Sequence, residues 1–230
     1  MMKLSDIQSD NRGLTLVELL VTIAVSAVLA AAVSIMIGYS VNTYQNESVN
    51  TALQTELQTN VNQVMDAIMG SSGAVIKQKN ATVTEYAGFG KFKETRDPSS
   101  GAVTNVVFDG TVLVSGTNGE IYLARGTESG STAIVAVEEV VKKITGEGVD
   151  KRPYLLGQNA TVFKIEADAG CVDESTRTYT NPLTVKVWLE FERIAGGGQT
   201  ITKTVKDNAV MRNKVTADIY LGTEKYVLAK

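Results

Sequence analysis

Between Leu19 and Tyr39 the chain carries 21 consecutive residues without a charge. As a helix rising about 1.5 Å per residue, such a run covers roughly 30 Å, the thickness of a bilayer's hydrocarbon core. The residue just before it is an acid, Glu18. A carboxylate deep in a membrane helix costs about 3 kcal/mol on insertion scales. Near the end of the span the cost is smaller, but the position still asks for a reason. The surrounding charges set a direction. Lys3 and Arg12 precede the run, and no Lys or Arg follows Arg12 until Lys77. The positive-inside rule then keeps the N-terminus cytoplasmic and sends the rest of the chain out.

A cleaved secretory signal, a plain single-span anchor and a specialised signal all fit an apolar N-terminal segment. The run is too long for an ordinary signal-peptide core, and no small-x-small cleavage site followed by a change of character appears, although the Ala-rich AVLAAA inside the run keeps that reading open. A plain anchor explains the length and orientation but gives Glu18 no task. The stretch Arg12-Gly13-Leu14-Thr15-Leu16-Val17-Glu18-Leu19-Leu20 resembles the N-terminal signal of type IV pilins and type II secretion pseudopilins. The resemblance implies cleavage by a prepilin peptidase between Gly13 and Leu14, and N-methylation of Leu14, where the family more often has Phe. It also implies that Glu18 pairs with the new amine of a neighbouring subunit during assembly. Elementary electrostatics agrees: a matched opposite charge in low dielectric recovers much of the cost of burying a carboxylate, and a subunit out of step leaves both charges unpaired. A glycine before the cut lets a protease approach the backbone closely.

Beyond Ser40 the chain becomes polar and keeps a helical period. Val49, Leu53, Leu57 and Val61 recur every four residues, and Val64, Met65 and Ile68 continue the stripe. This pattern predicts an amphipathic helix with one face to bury. No Gly or Pro interrupts it between Val41 and Met69, and Gly70-Ser71-Ser72-Gly73 ends it. A helix continuous from Leu14 to Met69 would reach about 85 Å, a length suited to a filament subunit.

The remainder, rich in Thr, Val, Asn and Gly, reads as strands and tight turns. Residues 103–108, Asp109-Gly110 and residues 111–115 predict a hairpin. Thr117-Asn118-Gly119 predicts a turn into a strand over 120–125. Residues 134–144 are ambiguous. Glu138/Lys142 and Glu139/Lys143 stand at helical spacing, while six β-branched residues tip the expectation to a strand. Strands are also expected over 161–169, 183–194 and 199–206. In the second, Val185, Val187, Leu189 and Phe191 alternate with Lys186, Trp188, Glu190 and Glu192, the pattern of a half-buried strand. Gly196-Gly197-Gly198 supplies the following turn. The order YLLGQNATVFKI, NPLTVKVWLEF and a strand ending in VMRNK is similar to the C-terminal half of W-type minor pilins and J-type minor pseudopilins, which implies a minor subunit.

Composition narrows the chemistry. The chain has no His, which removes the commonest general base and metal ligand together. Its lone Cys171 cannot form an internal disulfide and stands in no context that would activate a thiol. No phosphate loop or zinc spacing occurs. A net charge of −3 with scattered basic residues gives no reason to expect nucleic acid. Asp168, Asp173 and Glu174 around Cys171 could be a calcium loop or a solvated one. Three Asn-x-Ser/Thr triplets, at Asn46, Asn80 and Asn159, match the glycosylation pattern by chance.

The expected fold is α+β: a long N-terminal helix, transmembrane and then amphipathic, packed on an antiparallel β-sheet head. Its parts are a leader (1–13), a membrane and filament-core helix (14–39), an amphipathic extension (40–70) and a head (71–230). The expected role is structural, not enzymatic, and needs no cofactor. It is that of a pilus or pseudopilus subunit whose partners are a prepilin peptidase, other subunits and the membrane. The chain is expected first as a single-pass protein of the cytoplasmic membrane and then at the cell surface. The alternative is a membrane-tethered binding or adhesion domain that is never processed.

Overall fold

The computed structural model describes residues 15–212 and 219–229. The chain divides into two compact units between Glu47 and Ser48. One helix, α1 (Leu16–Met69), contributes to both. It ends as expected where Gly70 and Ser71 take over: Gly70 N–H donates to Asp66 O, and Ser71 N–H and Oγ donate to Ile68 O.

In the first unit every residue from Thr15 to Gln45 is exposed. The large apolar side chains range from 48% exposed at Val41 to 78% at Leu16. Gly38 stays helical. Its neighbours leave it open space, so it marks no close approach.

The second unit holds the head. Its strands are β1 (Gly73–Gln78), β2 (Thr84–Arg96), β3 (Val103–Ser115), β4 (Ile121–Gly130), β5 (Leu155–Gly157), β6 (Ala160–Ala167), β7 (Val172–Asp173), β8 (Thr178–Tyr179), β9 (Thr184–Ile194), β10 (Thr200–Val210), β11 (Ile219–Leu221) and β12 (Glu224–Leu228). They form a nine-stranded sheet in the order β5-β4-β3-β2-β1-β11-β12-β8-β7 and a three-stranded sheet in the order β10-β9-β6. Pairing is mainly antiparallel, so the α+β expectation holds. Two contacts, β1 with β11 and β12 with β8, are parallel, because the C-terminal hairpin inserts between strands formed much earlier in the chain. The glycine turn after β9 stands as expected, over Gly196–Gly198.

The stripe on α1 is buried at Leu53, Leu57, Val61, Val64 and Ile68, against Phe89, Phe163, Val187, Leu189, Phe191 and their neighbours. Each such side chain stabilises the head by about 1.5–3 kcal/mol relative to leaving it in water. Asn60 lies in the same stripe, 2% exposed, and among the described residues its Nδ2 has no hydrogen-bond partner. It faces Gly157, where an added Cβ would come within 2.7 Å of that nitrogen. A larger residue opposite would have no room.

Two expectations fail. Residues 134–144 form a helix, α2 (Ala133–Thr145), and not a strand. Its spacing settles the matter: Ala133, Ala136, Val137, Val140 and Ile144 fall on one face and are buried. Thr132 caps it by accepting from Val135 N–H at 3.3 Å. The facing strand completes the fit, since a Cβ on Gly88 would lie 2.8 Å from Val137 Cγ1. Tertiary burial here outweighs the β-propensity of the branched residues. The second failure is the hairpin at Asp109-Gly110, which lies inside the single strand β3. Gly110 pairs with Gly90 on β2 and with Gly126 on β4. A Cβ on Gly110 would sit 2.3 Å from Phe89 O. The glycine serves a close approach between strands, and continuous pairing on both sides leaves no turn.

Candidate functional site: the start of α1

Thr15 and Glu18 form a reciprocal cap at the helix start. Glu18 N–H donates to Thr15 Oγ1 at 3.2 Å, and Thr15 N–H donates back to Glu18 Oε2 at 3.0 Å. The Thr15 hydroxyl also donates to Oε2, at 3.0 Å. Leu19 N–H makes the first helical turn bond to Thr15 O. Two donors that the first turn leaves without helical partners are thereby satisfied, and the carboxylate sits where the helix dipole favours a negative charge. Glu18 therefore has a local role in its own helix, besides the one implied for assembly. Thr15 was not singled out by sequence reasoning. The Thr-x-x-Glu spacing is a capping-box signal, and it was there to be found.

Downstream, polar groups in the apolar run are turned back onto the helix. The Thr22 hydroxyl donates to Glu18 O at 2.6 Å, and the Ser34 hydroxyl to Ala30 O at 2.8 Å. Such back-bonding hides hydroxyls from an apolar solvent. The span predicted from Leu19 to Tyr39 lies wholly within α1, which is long and apolar enough to cross a membrane, and none of that apolar stretch is buried. Gly13 and Leu14, the residues predicted to flank the cut, lie outside the described residues, as does the predicted leader.

Residues 8–34 match the family model described as Prokaryotic N-terminal methylation motif. The chain carries a prepilin-type signal. The matched segment contains Glu18 and the first part of the apolar stretch. No curated protein and no solved structure matches the chain. The prepilin signal implies a prepilin peptidase as processing enzyme and assembly with other pilin subunits. Together with one long apolar helix, it fits a single-pass, membrane-anchored subunit of a surface filament.

The acidic residues around Cys171 do not converge. Asp168 pairs with Lys186 at 2.9 Å and accepts from Gly170 N–H. Asp173 accepts from the Ser175 N–H and hydroxyl and from Thr176 N–H, which hold its carboxyl down at about 2. Among the described residues no cluster of three metal-ligating side chains occurs. Two open grooves mark the head. One, of about 560 Å³, is lined by Asn118, Asn159, Glu192, Arg193 and Ile194. The other, of about 370 Å³, is lined by Asp66, Lys91, Asp109 and Arg125.

Proposed function

We propose that this prepilin-type protein is a non-enzymatic structural subunit of a type IV pilus or pseudopilus. The single observation that carries the proposal is an apolar helix half with no covering partner of its own, opened by a methylation motif. Apolar side chains exposed along more than 20 residues need a bilayer before assembly and other helices after it. Lys3 and Arg12 ahead of the span favour a cytoplasmic N-terminus, which puts the head outside. The peptidase cuts between Gly13 and Leu14, and Leu14 is methylated. Glu18 then meets the amine of a neighbour.

The minor-subunit reading rests on the resemblance of three segments to W-type and J-type proteins. The first falls on β5 and β6, the second on β9, and the third begins at Val210, the last residue of β10. A tethered adhesion domain would share the helix but would have no use for cleavage.

The test is Glu18→Ala in cells that supply the peptidase and the other subunits. Cleavage proceeds as in the parent chain, and the variant disappears from the sheared filament fraction. Unchanged incorporation would remove the assembly role from Glu18.

A further inference from the structure

The three-stranded sheet ends in an open strand. β10 is an edge, paired to β9 through all eleven of its residues, with no described strand on its other side. Asn208 N–H donates to the Asp207 carboxylate at 2.7 Å. That N–H therefore points away from β9. Antiparallel pairing alternates, so the backbone groups of Thr202, Thr204, Lys206 and Asn208 face outward together. Long open edges are templates for another strand, and lysines such as Lys203 and Lys206 ordinarily discourage it. Here an acid stands four residues past Lys203, at Asp207. Among the described residues neither has an ion-pair partner.

We propose that β10 pairs antiparallel with β10 of a second copy, about a two-fold axis at Val205. Val205 is the strand's midpoint, so every residue from Thr200 to Val210 gains a partner. Lys203 of each copy meets Asp207 of the other, twice per dimer. Ile201 meets Ala209 on the same face. Thr202 meets Asn208 and Thr204 meets Lys206, and these are the residues whose backbone groups already face outward. Asn208 N–H then finds a carbonyl across the interface, which frees the Asp207 carboxylate for Lys203. Neighbouring registers lack this match. An axis at Thr204 sets Asp207 against Ile201, and an axis at Lys206 sets two Lys206 side chains against each other, which is unfavourable. The contact is isologous, which closes a pair and does not propagate. It is made by residues of the head alone.

Disulfide trapping in the full chain in detergent tests the register. In a Cys171→Ser background, Val205→Cys places two thiols at a closely spaced, non-hydrogen-bonded pair, with Cα atoms about 4.5 Å apart. Thr127→Cys, on an exposed site of β4, reports random collision and contact through the membrane helix. With copper-phenanthroline as oxidant, the Val205→Cys dimer forms at least tenfold faster than the Thr127→Cys dimer. Adding Lys203→Glu removes that advantage, and adding Asp207→Lys to Lys203→Glu restores it. Equal rates at the two cysteine positions overturn the proposal. So does a Lys203→Glu variant that cross-links as fast as its parent, or a charge swap that fails to rescue.

Discussion

Two stretches of one helix meet opposite solvents. From Leu19 to Tyr39 α1 is uncharged, mostly apolar and wholly exposed; from Leu53 to Ile68 it is amphipathic and its apolar stripe is buried. Backbone geometry is the same in both. What differs is where the partner for the apolar surface comes from. The second stretch finds it within the chain, in β1, β2, β6 and β9. The first has none there, and its hydroxyls turn inward as they do in lipid. An apolar helix that its own chain leaves bare calls for a partner outside the chain.

Removing residues 1–47 sharpens the contrast most. The remaining chain keeps its whole described core and is soluble and folded without detergent, free or paired through β10, measured by light scattering and circular dichroism. Aggregation would mean that the first stretch contributes to the head's fold. Next in size are paired truncations. Ile68→Ala costs the head about 2–5 kcal/mol by denaturant unfolding. Val25→Ala leaves that midpoint unchanged, and a shift there would break the separation between the two stretches. The smallest effect is electrostatic. Hydrogen bonds hold Asp173 at about 2 in the folded head, against about 4 in an unfolded chain. A depressed carboxyl stabilises the fold above the unfolded value, and the contribution fades as pH falls from about 4 toward 2. Asp173→Asn should flatten that part of the acid unfolding curve; an identical slope would show that the turn adds nothing.

The helix was legible because its signals are local. Charge-free length marks the span, a four-residue period marks the buried stripe, and Gly70 marks the end. Strands β6, β9 and β10 were legible from alternation. The rest depended on distant neighbours. α2 carries seven β-branched residues and is helical because one face fits over Gly88 and its neighbours. Asp109-Gly110 has turn chemistry, yet Val106, Phe108, Val112 and Val114 keep one buried face through it, an alternation that outweighs the dipeptide. The parallel pairing of β1 with β11 joins residues 75 and 220, and no local pattern announces it. At the candidate site Glu18 was found from cost and Thr15 was overlooked, although a cap needs both.

The central claim is that the N-terminal segment is a processed assembly signal. The most direct test is the intact mass and N-terminal sequence of the protein from cells with and without a prepilin peptidase. The expected result is a chain that begins at Leu14 and carries one added methyl group, found only when the peptidase is present. A chain that keeps residues 1–13 in the presence of the peptidase, or one cut within the Ala-rich run, would contradict it.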